Sequence, residues 1–254
     1  MPDPVLPRLG WASVLDAAVL TAVPADASAE STVLNVRDGK PWSFWRPLPA
    51  GPAEIVADLA APSRTTYAAL AGHDASGTIA VDAWTGSNWI QVATATSSGD
   101  GAVRYLTWPP IVTTRLRFCF AAISYLSLLY AGEDLILPEG LAPGWTDPDL
   151  AQRPKLNAEI SRGGVWLGAR VEYWDATLSL SLKRLDPAWV RAYWRPFQRT
   201  CATRPFFLHW HETDWPDSAC LCTNADFGES SFSAVGSIDV SVSFTAETGR
   251  RSQP

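Results

Sequence analysis

The residues best suited to hold a metal ion lie close together near the end of the chain. The stretch PFFLHWHETDWPDSACLC, from Pro205 to Cys222, sets His209-x-His211 eight residues before Cys220-x-Cys222. Two imidazoles and two thiolates form a tetrahedral zinc set. If 205–211 and 219–224 are strands of one hairpin, side chains alternate between its faces. Phe206, Leu208 and Trp210 then share one face, with Leu221 opposite them. His209 and His211 share the other, opposite Cys220 and Cys222 where register allows. Zinc sites more often space their cysteines as Cys-x₂₋₄-Cys, so the spacing favours a hairpin with a His/Cys-rich face over a metal clip. The expectation is no bound metal and no cofactor, with His209, His211, Cys220 and Cys222 as the alternative ligand set.

A second constellation is aromatic. Trp42, Trp45, Trp84, Trp89 and Trp108 fall in the first half. Tryptophans stack on sugar rings, but in a β-sandwich most of them pack the core. The candidate glycan contacts are Trp42, Trp45, His73 and Trp89. No catalytic residues are identified. The chain has no G-x-S-x-G elbow, phosphate-binding loop, H-E-x-x-H or dinucleotide fingerprint. Its close carboxylate pairs, Asp147 with Asp149 and Asp214 with Asp217, sit in turn-like contexts where aspartate shapes the backbone. The reading is not an enzyme.

These residues must be held by strands. In SIDVSVSFTA, Ile238, Val240, Val242, Phe244 and Ala246 alternate with polar residues, the period of a strand with one wet face. TLSLSL repeats the pattern at Leu178, Leu180 and Leu182, and RLRFCF at Leu116, Phe118 and Phe120. TIAVDAW and NWIQVATA are shorter strands around a TGS turn. The best helix is DPAWVRAYWRPF, with Asp186 as cap, Pro187 in the first turn and Pro196 expected to end it. Arg191 and Arg195 then share an exposed face. Short strands separated by turns predict an all-β protein.

The chain has 254 residues, 47% hydrophobic and 18% charged, which suits a packed core. A net charge of −6 argues against nucleic-acid binding, which needs a basic surplus. Four cysteines in a chain this long are no disulfide framework, so reduced thiols and folding in a cytoplasm are expected. Residues 9–23 are apolar, but Asp16 interrupts them and Asp3 opposes a positive start, unlike a signal peptide. No stretch reaches the roughly 20 apolar residues of a membrane span. PEGLAPGWTDP, rich in proline and glycine, reads as a boundary. The divisions are an N-terminal arm at 1–30, a first domain at 31–137, a linker at 138–148 and a second domain at 149–254. The arm is too apolar to float free. Leu9, Trp11, Val14 and Leu15 are expected to dock on the first domain or on a neighbouring subunit.

The first half resembles the galactose-binding-like, discoidin-type jelly roll. The likeness rests on VLNVRDGKPWSFWRP, the Gly72-His73-Asp74 turn, the Thr85–Trp89 hairpin and the closing LRFCFAAISYLSLLYAGEDLILPEG. LAGHD and AGEDLILPEG also resemble modules of tailed-bacteriophage tail and baseplate proteins. RGGVWLGARVEYWDATLSLSL, WRPFQRTCATRPFFLHW and IDVSVSFTA resemble the β-rich tail-hub and distal-tail domain. The resemblance implies a jelly roll followed by a second β-rich domain with one short helix. It implies a structural protein of a virion tail, made in the bacterial host cytoplasm. Its partners would be other tail or baseplate proteins and copies of itself, in a ring of three or six, without membrane insertion. The alternative is a carbohydrate-binding module or adhesin for a host-surface glycan.

Overall fold

Alternating segments become paired antiparallel strands, and two sheets account for them. The computed structural model describes residues 6–141, 145–160, 162–163, 166–211, 218–232 and 236–249. The first sheet runs β2 (Val19–Val23), β3 (Gly51–His73), β6 (Arg104–Ile123), β4 (Ser76–Trp84) and β5 (Trp89–Ser98), with β7 (Leu126–Gly132) also paired to β3. The second runs β8 (Leu135–Ile136), β1 (Arg8–Gly10), β11 (Phe206–His209), β12 (Ala219–Phe227), β14 (Ile238–Glu247), β10 (Trp166–Leu185) and β9 (Arg153–Ile160). β13 (Ser231–Phe232) adds to β14. The fold is all-β, as expected, and its first half is a jelly-roll-like sandwich.

The two long strands make that sandwich. β3 and β6 pair along most of their length, with register breaks between Asp58 and Ser63 of β3 and between Thr65 and Tyr67. The first part of β3 lies between β2 and β6; its last part, Tyr67–His73, lies between β6 and β7. Ile55, Ala68, Leu70, Leu116, Phe118, Phe120 and Leu129 fill the core between the two layers. Arg115 and Arg117 take the outer face, where they pair with Asp58 and Asp82.

The inner layer is apolar on both faces. Tyr67, Ala69 and Ala71 of β3, Tyr105 of β6, and Leu128 and Tyr130 of β7 point away from the sandwich core. They form a separate cluster with Phe207, Ala219 and Leu221 of β11 and β12. Tyr105 stacks on Tyr67 at 5.2 Å and meets the His209 ring at 5.1 Å; Tyr130 meets Phe207 edge-on at 5.3 Å. The far face of the second sheet carries Leu178, Leu180, Leu182, Val240, Val242 and Phe244, the residues the alternation marked. β10 pairs with β14 in a register that sets Leu178 opposite Phe244 and Leu180 opposite Val242. Trp194, Phe197 and Cys201 of a helical run cover them.

That run extends past its expected end. Asp186 caps it by accepting the Ala188 N–H at 2.8 Å, and Arg191 and Arg195 are exposed. Pro196 does not stop it; helix continues through Arg195–Cys201. The reason is a π-helical turn at Val190–Trp194, where the Arg195 N–H reaches the Val190 carbonyl. The wider turn comes just before a residue with no N–H to give.

The arm is shared between the two sheets. β1 inserts between β8 and β11, with Leu9 opposite Leu208 and Leu135. Leu9 and Trp11 join the second core, while Leu15 and Val14 join the first. β2 belongs to the sandwich. Arg204 forms a two-pronged pair with Asp16 and lies 5.6 Å over the Tyr130 ring. The sheets therefore do not divide at 138–148, because β1 and β8 precede that stretch and belong to the second sheet. Of the linker, residues 142–144 lie outside the described residues; Leu141 and Trp145 pack on the second core. A chain cut by an engineered protease site between Pro138 and Pro148 should stay together. Size-exclusion chromatography in native buffer should show one species that separates only in denaturant. Two fragments eluting apart would mean that the shared cluster and β1 hold little.

Candidate functional site

One end of the sandwich gathers the loop 24–50 and the turns at 73–75, 99–103 and 124–125. The loop is tied down at Trp45, which exchanges backbone hydrogen bonds with Leu126 at 2.8 and 3.0 Å. The Trp45 indole is fully buried and donates to Asp26 at 3.0 Å. Three residues away, Trp42 is 74% exposed. The Ser127 hydroxyl donates to the Pro41 carbonyl at 2.8 Å and fixes this segment.

The Gly72-His73-Asp74 turn is built for close approach. Gly72 has φ +62°, and a Cβ there would stand 2.7 Å from the Ser127 side chain. Asp74 accepts the backbone N–H groups of Ser124 at 2.9 Å and Tyr125 at 3.1 Å, and the Ser124 hydroxyl. Burial acts to raise the Asp74 pKa, but these donors outweigh it and hold the carboxyl below its ordinary value. Tyr125 is thereby placed edge-on to Phe44, with ring centroids 5.6 Å apart.

These pieces enclose a half-open cleft of about 360 Å³. Its lining includes Pro41, Phe44, Arg46, His73, Tyr125 and Ser127 from the sandwich, and Leu221, Glu247 and Gly249 from the second sheet. His73 is fully buried. Its Nδ1 accepts the Ala75 N–H at 3.2 Å, so the neutral ring carries its proton on Nε2. Nε2 completes no hydrogen bond, although the Ala102 backbone is close enough to offset part of the pKa shift. Burial, and then the positive charge of Arg104, lower the His73 pKa to about 4; Asp100 and Asp74 oppose the shift. The cleft thus offers two aromatic rings, one guanidinium and one carboxylate, with the buried neutral imidazole of His73 also in its lining. Among the described residues lining it, Glu247 is the only carboxylate.

The other candidates lie elsewhere. Trp89 is at the opposite end, on the 84–89 hairpin, edge-on to Trp84 at 5.3 Å and under Arg117 at 4.9 Å. Trp108 is in the sandwich core. Of the four candidate glycan contacts, the structure brings Trp42 and His73 to the same end, buries Trp45 and separates Trp89. Sequence reasoning missed Phe44, Tyr125, Arg46 and Glu247. Phe44 and Arg46 flank Trp45 in the FWR motif, but Glu247 carries no local signal.

The His/Cys hairpin forms with a register that parts the two pairs. Phe206 faces Cys222, Leu208 faces Cys220, and His209 faces Ala219. Cys220 and Cys222 therefore lie on the same face as Phe206 and Leu208, inside the second core, with their sulfurs 3.7 Å apart. His209 lies on the opposite face against Tyr105. This corrects the expectation that the cysteines share the histidine face. Burial pushes the Cys222 thiol well above its ordinary pKa, and all four cysteines are free. Among the described residues, no three His, Cys, Asp or Glu side chains converge as metal ligands, and no helix is long and apolar enough to cross a membrane.

No family model matches the chain, and no curated protein matches its sequence. Solved structures resemble about half of it. The family 32 CBM from C. perfringens NanJ, in complex with galactose, has 14% identity and a TM-score of 0.41, over 47% of this chain and 96% of that one. Chitosan-binding module 1 from a chitosanase/glucanase of Paenibacillus sp. IK-5 has 18% identity and a TM-score of 0.41, over 48% and 99%. A Ruminococcus gnavus GH29 fucosidase, in complex with fucose, has 12% identity and a TM-score of 0.41, over 49% of this chain and 27% of that one.

The buried His73 gives the site a pH signature. Its folded pKa lies below the ordinary 6.5, so the folded state binds fewer protons. The stability it contributes is complete above about pH 6.5 and is lost as pH falls through about 4, up to ~3 kcal/mol. Urea unfolding at pH 7 and pH 4.5 should show a smaller acid loss for His73→Gln than for the parent chain. Equal losses would remove His73 as the cause.

Proposed function

We propose that this chain is a glycan-binding protein whose site is the cleft at the loop end of the sandwich. The observation that carries the reading is a half-open cavity walled by the half-buried rings of Phe44 and Tyr125, with Arg46 and Glu247 in the same lining and the exposed Trp42 on the adjoining loop. Sugar rings present apolar C–H faces and carry hydroxyls around the edge. Aromatic side chains suit the first and fixed donors the second. Trp42 stands exposed on the segment that supplies Pro41 and Phe44 to the cleft wall, and Tyr125 completes the aromatic side.

Binding without turnover is the form proposed. Hydrolysis of a glycosidic bond uses two carboxyl groups flanking the bond. Among the described residues of the lining, Glu247 stands without a second carboxylate.

A second reading is the tail or baseplate subunit, in a ring of three or six copies within a virion tail. Its specific support beyond the sequence resemblance is β9 with the first half of β10. Residues 166–175 pair with β9 and with no other strand among the described residues. A two-stranded ribbon with open edges is marginal alone and well suited to pairing with another chain. The two readings are compatible in a tail tip that contacts a surface glycan. Imaging of purified particles tests the second; absence of the protein from virions would reject it.

For the first, a glycan array followed by calorimetry is the test. The parent chain should bind a neutral oligosaccharide with Kd of roughly 10 µM to 1 mM. Trp42→Ala and Tyr125→Ala should each weaken it about three- to tenfold, in line with the worth of a ring contact. An array with no bound glycan would reject the reading.

A further inference from the structure

The cleft is not made by the sandwich alone. We propose that Glu247, on the last strand of the second sheet, is a specificity-determining residue of this site. The two sheets then form one composite site that reads neutral sugars and turns away acidic ones. The inference rests on the glycan-binding reading above and deepens it.

The position of Glu247 is fixed from three sides. It lies opposite Leu221 in the β12–β14 register, and Leu221 is buried in the cluster between the sheets. The next residue, Thr248, accepts the Val103 N–H on its carbonyl at 2.8 Å and the Gln152 amide on its hydroxyl at 2.9 Å. Then Gly249 crosses Gly101 so closely that a Cβ on Gly249 would stand 2.1 Å from the Gly101 carbonyl. Both glycines have positive φ, +72° and +74°. The strand end is thus clamped to the 99–103 turn, beside His73, whose carbonyl is 3.3 Å from the Cβ position of Gly101.

The chemistry of the cleft then has two sides. Arg46 supplies hydrogen-bond donors, and Glu247 supplies a carboxyl group whose pKa burial raises above its ordinary value. A sugar hydroxyl both donates and accepts, so neighbouring hydroxyls of a neutral hexose satisfy both groups. A uronic or sialic carboxylate would face Glu247 as a like charge. Arg46, exposed on the other wall, softens that repulsion, so the discrimination expected is modest.

Calorimetric titration with paired probes tests this: methyl hexosides of galactose and glucose, and their matched methyl uronides. The parent chain should prefer the neutral member of each pair by about tenfold or more. Glu247→Gln keeps the shape and removes the charge, and should cut that preference to within about threefold. Trp42→Ala should weaken both members alike and leave the ratio intact. Unchanged preference in Glu247→Gln, with an unaltered melting temperature, would overturn the role of Glu247 while leaving glycan binding standing. Failure of the parent chain to bind any probe would instead remove the reading on which it rests.

Discussion

The rest of the structure depends on one layer having two dry faces. The last part of β3, the first part of β6 and all of β7 bury one set of side chains in the sandwich and the alternate set against β11 and β12. Such strands cannot stand at the edge of an independent domain, because Tyr105, Leu128 and Tyr130 would then lie in water. Each fully buried side chain of this size is worth about 1.5–3 kcal/mol relative to exposure. The second sheet is therefore part of the shelter of the first. The placement of β1 follows from the same demand. It crosses from one core to the other within a few residues, and Gly10 has no side chain because Tyr67 would lie 2.5 Å from its Cβ.

The seam also decides the site. Were the sandwich separate, the loop end would be open on the side where Leu221, Glu247 and Gly249 now stand. The clamp between Gly101 and Gly249 exists because the two sheets already face one another. A buried imidazole beside that clamp is tolerable because it stays neutral, with Nδ1 satisfied by Ala75 and the Ala102 backbone close to the ring.

Much of the fold was legible in the sequence because burial on one face leaves a period-two trace. Residues 238–246, 178–182 and 116–120 show it, and the Asp186-Pro187 start announced the helix. Burial on both faces leaves a plainer trace, the near-continuous run TTYAALAGH, which marks a buried strand but not what covers it. The face taken by Cys220 and Cys222 depended on a register fixed by the partner strand, and one residue of slip moves every side chain to the other face. RLG is too short to show a period, so β1 could be expected to dock but not where. Trp42 and Trp45 are chemically alike; a bridge to Leu126 and a bond to Asp26 send one inside and leave the other out. Glu247 reaches the cleft through tertiary packing alone, and such a neighbour leaves no mark in the local sequence.

The central claim is that the two sheets form one cooperative unit through the doubly buried layer. Native-state hydrogen exchange read by mass spectrometry tests it directly. The account predicts that peptides covering Leu9, Tyr67–Ala71 and Phe207–His209 exchange together, at the slow rate of the two cores and with the same dependence on denaturant. Fast exchange of the Leu9 peptide and of the seam, with both cores still protected, would contradict it.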